Sequence, residues 1–114
     1  MLEKNKYLFP TIAKPDDYNL DVGLTEAVKL PTMGFCMFVN PDVPEDIVYD
    51  VVKTAYEHAS EMASLTTIWE GFARNPLEFN LPSLIKYSEG APLHPGVLRY
   101  IKELGVDTEA LGLE

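Results

Sequence analysis

The chain has 114 residues, 46% of them hydrophobic and 24% charged, with eighteen acidic against nine basic residues and a formal net charge of -9. That length bounds it at a single domain, residues 1–114, and that composition buries a core instead of staying disordered. The acidic balance excludes nucleic acid, whose phosphates need a basic patch, and disfavours an anionic membrane surface.

The first residues, Met1-Leu2-Glu3-Lys4-Asn5-Lys6-Tyr7, lack an apolar core and a small-residue cleavage site and do not read as a signal peptide. Residues 7–12 read as a short extended segment, with Pro10 marking an edge or a bend. Lys14-Pro15-Asp16-Asp17-Tyr18-Asn19 is turn chemistry. Residues 20–30 read as a loop with one helical turn near 25–28, because Gly23 interrupts any regular pattern. Residues 32–39, Thr-Met-Gly-Phe-Cys-Met-Phe-Val, are apolar on both alternating faces, which predicts a central strand buried on both sides. Cys36, the only cysteine, has no internal disulfide partner and reads as a small buried hydrophobe in that strand.

A long helix is predicted from about 42–44 to 63. Asp42 or Val43 would cap it, and Glu45 and Asp46 complement the positive end of its dipole. Ile47, Val48, Val51, Val52, Ala55, Ala59 and Met62 share its apolar face. Thr67-Ile68-Trp69-Glu70 has the form of a capping box, opening a short helix to Ala73. Asn75-Pro76 breaks it, and Leu81-Pro82-Ser83 starts another short helix closed near Gly90. The tail carries its own start and stop: Pro95 suits a first helical turn, Val97, Leu98, Ile101 and Leu104 share one face, and Gly105 closes the helix. A last turn falls at 108–111. No run is long enough to span a bilayer, so direct membrane insertion is not expected.

The residues that could carry chemistry are sparse. His58 and His94 belong to no spaced ligand motif, so neither a metal nor a catalytic site is expected. His58 reads as a histidine near a helix end. His94 reads as a fixed turn, its imidazole bonded to backbone at the start of the Pro95 helix. Asp16 and Asp17 read as a solvated turn, and Arg99, away from its helix's apolar face, as a solvated cation. Trp69, Phe72 and Phe79 read as core aromatics. Phosphate-binding glycine loops are missing, and no cofactor is implied.

Three blocks, Leu30-Pro31-Thr32 into the apolar strand, Val43-Pro44-Glu45-Asp46-Ile47-Val48-Tyr49, and Ala91-Pro92-Leu93-His94-Pro95-Gly96 with Tyr100, occur in an order that resembles the C-terminal part of the TAXI family. These are the solute-binding subunits of tripartite periplasmic (TRAP) transporters, and the likeness covers about 18–105. It implies an α/β fold similar to the C-terminal part of a type II periplasmic binding protein: one or two strands followed by several helices, fragment-like. It implies a non-catalytic, periplasmic protein, a small organic anion as ligand of the full-length relative, and the two membrane subunits of the transporter as partners. Most of the binding cleft would precede the stretch matched, so the binding site would be incomplete and its ligand residues unassigned. Tyr18 and Thr32 are the candidates near a hinge. The alternative is a free-standing interaction or regulatory module, cytoplasmic for want of a signal peptide. A strand apolar on both faces with few partners also predicts a homo-oligomer.

Overall fold

A computed structural model describes residues 8–15, 25–33, 36–88 and 91–114. The chain divides into two compact units, Met1–Cys36 and Met37–Glu114. The α/β class and the order of elements, strands first and helices after, are those the sequence implies.

In the first unit β1 (Leu8–Ala13) pairs antiparallel with β2 (Val28–Met33), placing Pro10 opposite Pro31. Two prolines have no N–H groups to exchange, so this must be a non-hydrogen-bonded pair, whose backbone groups point outward. Each outer edge of the hairpin therefore lacks a donor at its middle. Phe9, Thr11 and Ala13 share a face with Thr32, Leu30 and Val28, and Pro10 and Ile12 share the other with Pro31 and Lys29.

The strand expected at 32–39 lies earlier. β2 begins at Val28, inside the stretch read as a loop, and ends at Met33. Residues 36–40 are neither helix nor strand, with Met37 83% and Phe38 81% exposed. Cys36 is likewise exposed, not a buried strand residue. An apolar run becomes a central strand only when other strands flank both edges. The alternating Val28, Leu30 and Thr32 instead meet a complementary register in β1. The expected turn at Asp16, Asp17 and Tyr18 lies outside the described residues.

The second unit is helical. Asn40 opens it: its Oδ1 accepts from the Asp42 N–H at 2.9 Å and its carbonyl from the Val43 N–H at 3.0 Å. This turn, and not an Asp42 or Val43 cap, leads to Pro44 at the head of α1 (Glu45–Glu57). The long helix breaks at His58 and resumes as α2 (Ala59–Leu65). Bonds from His58 N–H to the Thr54 carbonyl and from Met62 N–H to the His58 carbonyl bridge the break. That continuity is why the apolar period reads through it.

Thr66, one residue before the expected cap, precedes a 3-10 turn (Thr67–Trp69) and α3 (Glu70–Arg74). Asn75 then both ends α3 and caps α4 (Pro76–Ser88). Its Oδ1 accepts from the Glu78 N–H at 3.2 Å and its Nδ2 donates to Glu78 Oε2 at 2.9 Å. With Pro76 at the first position, the helix starts there and runs through Pro82 instead of starting at it. α5 (Pro95–Glu103) stands where the sequence puts it. Gly105 takes a left-handed φ of 87°, its N–H bonded to the Lys102 carbonyl and that of Val106 to the Ile101 carbonyl. Both glycine and bond pattern are those of a Schellman stop.

A chain of edge-to-face rings forms the core of this unit. Tyr49 meets Tyr100 at 5.8 Å, Tyr100 meets Tyr56 at 5.3 Å, and Tyr56 meets Phe72 at 5.3 Å. Phe72 in turn touches Trp69 and Phe79. The chain ties α5, α1, α3 and α4 together, each ring pair adding about 0.5–1.5 kcal/mol beyond burial. Ile101 is fully buried and Phe72 nearly so, whereas Phe79 and Ile68 remain exposed.

Candidate functional site

The best-built part of the molecule is the crossing of α1 and α5. Gly96 sits against α1 so closely that a Cβ would stand 2.5 Å from the Glu45 carbonyl oxygen and 2.6 Å from the Tyr49 nitrogen. His94 locks the approach. Its Nδ1 accepts from the Gly96 N–H at 3.2 Å, which leaves Nε2–H to donate to the Val43 carbonyl at 3.0 Å. One imidazole thus caps α5 and ties it to the segment before α1. The backbone-bonded role expected for His94 is therefore observed.

Arg99 is not simply solvated. Its guanidinium pairs with Asp46 at 2.8 Å and Glu45 at 3.5 Å, lies 4.2 Å from the Tyr49 ring centroid, and reaches Glu103 at 4.0 Å. The hydrogen bond to Asp46, with the Coulomb field of both acids, holds the guanidinium above its ordinary value. The Tyr49 hydroxyl donates to Glu103 Oε2 at 2.7 Å and receives Lys53 Nζ at 3.5 Å. Arg99 thus bonds α1 acids through Nη1 and lies over the Tyr49 ring, so the residue works as a clamp between helices.

His58 is exposed, and its Nδ1 lies 2.9 Å from Glu61, whose hydrogen bond raises the imidazole above its ordinary range. The two histidines occupy separate places, one at the α1–α2 break and one at the head of α5. Thr32 lies exposed in β2 opposite Phe9, and its companion candidate Tyr18 falls outside the described residues. Among the described residues no three His, Cys, Asp or Glu side chains are grouped to hold a metal ion. No described helix is long and apolar enough to cross a membrane.

An open groove of about 300 Å³ runs beside the α1–α5 crossing. Tyr56 and Glu57 come from the end of α1, Asn75, Pro76 and Leu77 from the head of α4, and Tyr100 and Leu104 from the end of α5. Asn80 Nδ2 donates to the Tyr56 hydroxyl oxygen at 3.2 Å. Burial raises the phenol of Tyr56 above its ordinary value, and burial with the nearby Glu57 carboxylate does the same for Tyr100. Both stay neutral and able to donate at physiological pH. The sequence reading missed this groove. The available signal was Tyr49 and Tyr56, seven residues apart on one helical face, with Tyr100 on the helix that packs there.

These features define a small α/β chain whose helical unit is clamped by backbone-level contacts. Residues 1–105 match the NMT1-like family, and the chain belongs to that family, which is related to periplasmic binding proteins. No curated protein and no solved structure matches it.

Proposed function

We propose that this chain is the C-terminal part of a TAXI-type solute-binding subunit of a TRAP transporter. In this reading it is non-catalytic, works in the periplasm with the transporter's two membrane subunits, and serves uptake of a small organic anion. By itself it holds an incomplete binding site. The family match over residues 1–105 carries the reading. It is supported by the block Val43–Tyr49 and the Pro95 helix, which build one rigid crossing through Gly96 and His94. A rigid crossing of this kind suits a lobe that must move as a body about a ligand.

The test is calorimetry with a panel of dicarboxylates and amino acids, on the chain alone and on the chain joined to the first lobe of a TAXI receptor. Saturable anion binding by the joined protein only is the expected result. Micromolar binding by the chain alone, or turnover of any panel compound, would overturn it.

Self-association is part of the same proposal. Leu65 at 85% and Ile68 at 75% exposure, with Phe79, leave apolar surface open on the helical unit. Sedimentation should show mass rising with concentration in the micromolar range; a constant monomer mass would exclude it.

A further inference from the structure

The groove beside the α1–α5 crossing has two features of a binding site that the solute-receptor reading does not use. The first is an unmatched hydroxyl. Tyr100 is only 6% exposed, and no hydrogen-bond partner for its hydroxyl occurs among the described residues. Among the described residues no fully buried side-chain oxygen or nitrogen lacks a bond, so this hydroxyl keeps some contact with solvent. Its neighbour Tyr56 uses its oxygen to accept from Asn80 and keeps its own proton to give.

The second feature is the sign of the field. Glu57 stands on the rim with half of its side chain exposed. Its cation, Lys53, is 4.0 Å away, at the limit of an ion pair, and also donates to Tyr49. Such an exposed pair contributes little and yields readily to competition. Of the residues lining the groove, Glu57 alone carries a formal charge, so the groove favours a cation over an anion. Pro76, Leu77 and Leu104 give the groove an apolar side, and the Tyr56 and Tyr100 rings an aromatic one.

We propose that this groove binds a small organic cation, its ammonium held by the Glu57 carboxylate and the Tyr100 hydroxyl oxygen and its apolar body laid along Pro76, Leu77 and Leu104. A carboxylate beside neutral phenols is what an ammonium donor needs, since every partner there can accept. The site is independent of the anion-binding cleft proposed for the full receptor, and either reading can fail without the other.

The experiment is an NMR titration of the full chain, reading the tyrosine ring signals. The probes are 2-phenylethylammonium, its neutral analogue 2-phenylethanol and its anionic analogue phenylacetate. Saturable shifts at Tyr56 and Tyr100 are expected with the ammonium, about tenfold weaker binding with the alcohol, and no saturation with phenylacetate. Glu57→Gln should weaken the ammonium about tenfold and erase its advantage over the alcohol. Tyr100→Phe keeps the ring and should also weaken the ammonium. No saturation by the ammonium up to about 10 mM, equal affinity for all three probes, or ammonium binding unchanged in both variants would overturn the proposal.

Discussion

Gly96 approaches the Tyr49 backbone nitrogen so closely that a side chain at position 96 would begin 2.6 Å from it. The obstacle is backbone, of Tyr49 and of Glu45, and backbone inside a helix does not step aside cheaply. Gly96→Ala must therefore push α5 off α1 and disturb Val48 and Tyr100, both buried at the crossing. The expected cost is about 3 kcal/mol, at the upper end of overpacking penalties. Urea unfolding checks it; a loss under about 0.5 kcal/mol, the range of an ordinary surface change, would mean the helices do not meet this closely.

His94 adds a second tie at the same crossing. The Nδ1 acceptor and the Nε2 donor demand one tautomer of the neutral ring, with the proton on Nε2. Nitrogen NMR should report that tautomer alone. His94→Ala removes both the cap and the bond to Val43, and about 1–2 kcal/mol of stability should go with them. A ring with its proton on Nδ1, or a neutral alanine variant, would contradict the geometry.

The aromatic residues separate what the sequence could tell from what it could not. Phe72 is 3% exposed and touches Tyr56, Trp69 and Phe79, so Phe72→Ala should cost about 3–5 kcal/mol. Phe38, expected at the heart of a central strand, is 81% exposed. Phe38→Ala should change stability by no more than about 0.5 kcal/mol. The reverse ranking in thermal or urea unfolding would restore the central strand. The α5 helix was legible to the residue because Pro95 and Gly105 are local signals. The strand was not, because an apolar run states only that burial is wanted. Whether burial is met depends on pairing partners distant in sequence, and here β1 matches 28–33. The reach of Arg99 to Asp46, across 53 residues, was hidden for the same reason.

Pro10 and Pro31 make a prediction about assembly. Facing each other across the hairpin, they leave both outer edges without a donor at mid-strand. Association between copies should then run through apolar faces and not through added strands. Pro31→Val supplies the missing outward N–H. It should increase concentration-dependent association in light scattering, accompanied by new strand signal in infrared spectra. An unchanged mass and spectrum would show that the prolines do not guard the edge.

Two exposed ion pairs set opposite pH limits. The Glu114 carboxylate accepts from Lys102 Nζ at 2.6 Å and from the Thr108 hydroxyl, and these bonds hold it below its ordinary value of 4.5. A carboxyl lowered on folding stabilises the fold above its unfolded value, and that contribution is lost as pH falls through the folded one. His58 is the reverse case. Its hydrogen bond to Glu61 raises it above 6.5, so its contribution is complete below that value and is lost as pH rises through the folded one. Both contributions are therefore present together between about pH 4.5 and 6.5. Being solvent-exposed, both are small and should shrink further with added salt. Melting temperatures across pH, at low salt, separate them. Glu114→Gln should lessen the fall on the acid side and leave the alkaline side alone. Glu61→Gln should flatten the decline above about pH 6.5, where the paired imidazole loses its proton. An acid limb identical in the Glu114→Gln variant would mean that the Lys102 bond contributes nothing in solution, and that the turn from Thr108 to Leu113 is held by its backbone hydrogen bonds and by the buried Thr108 and Leu113.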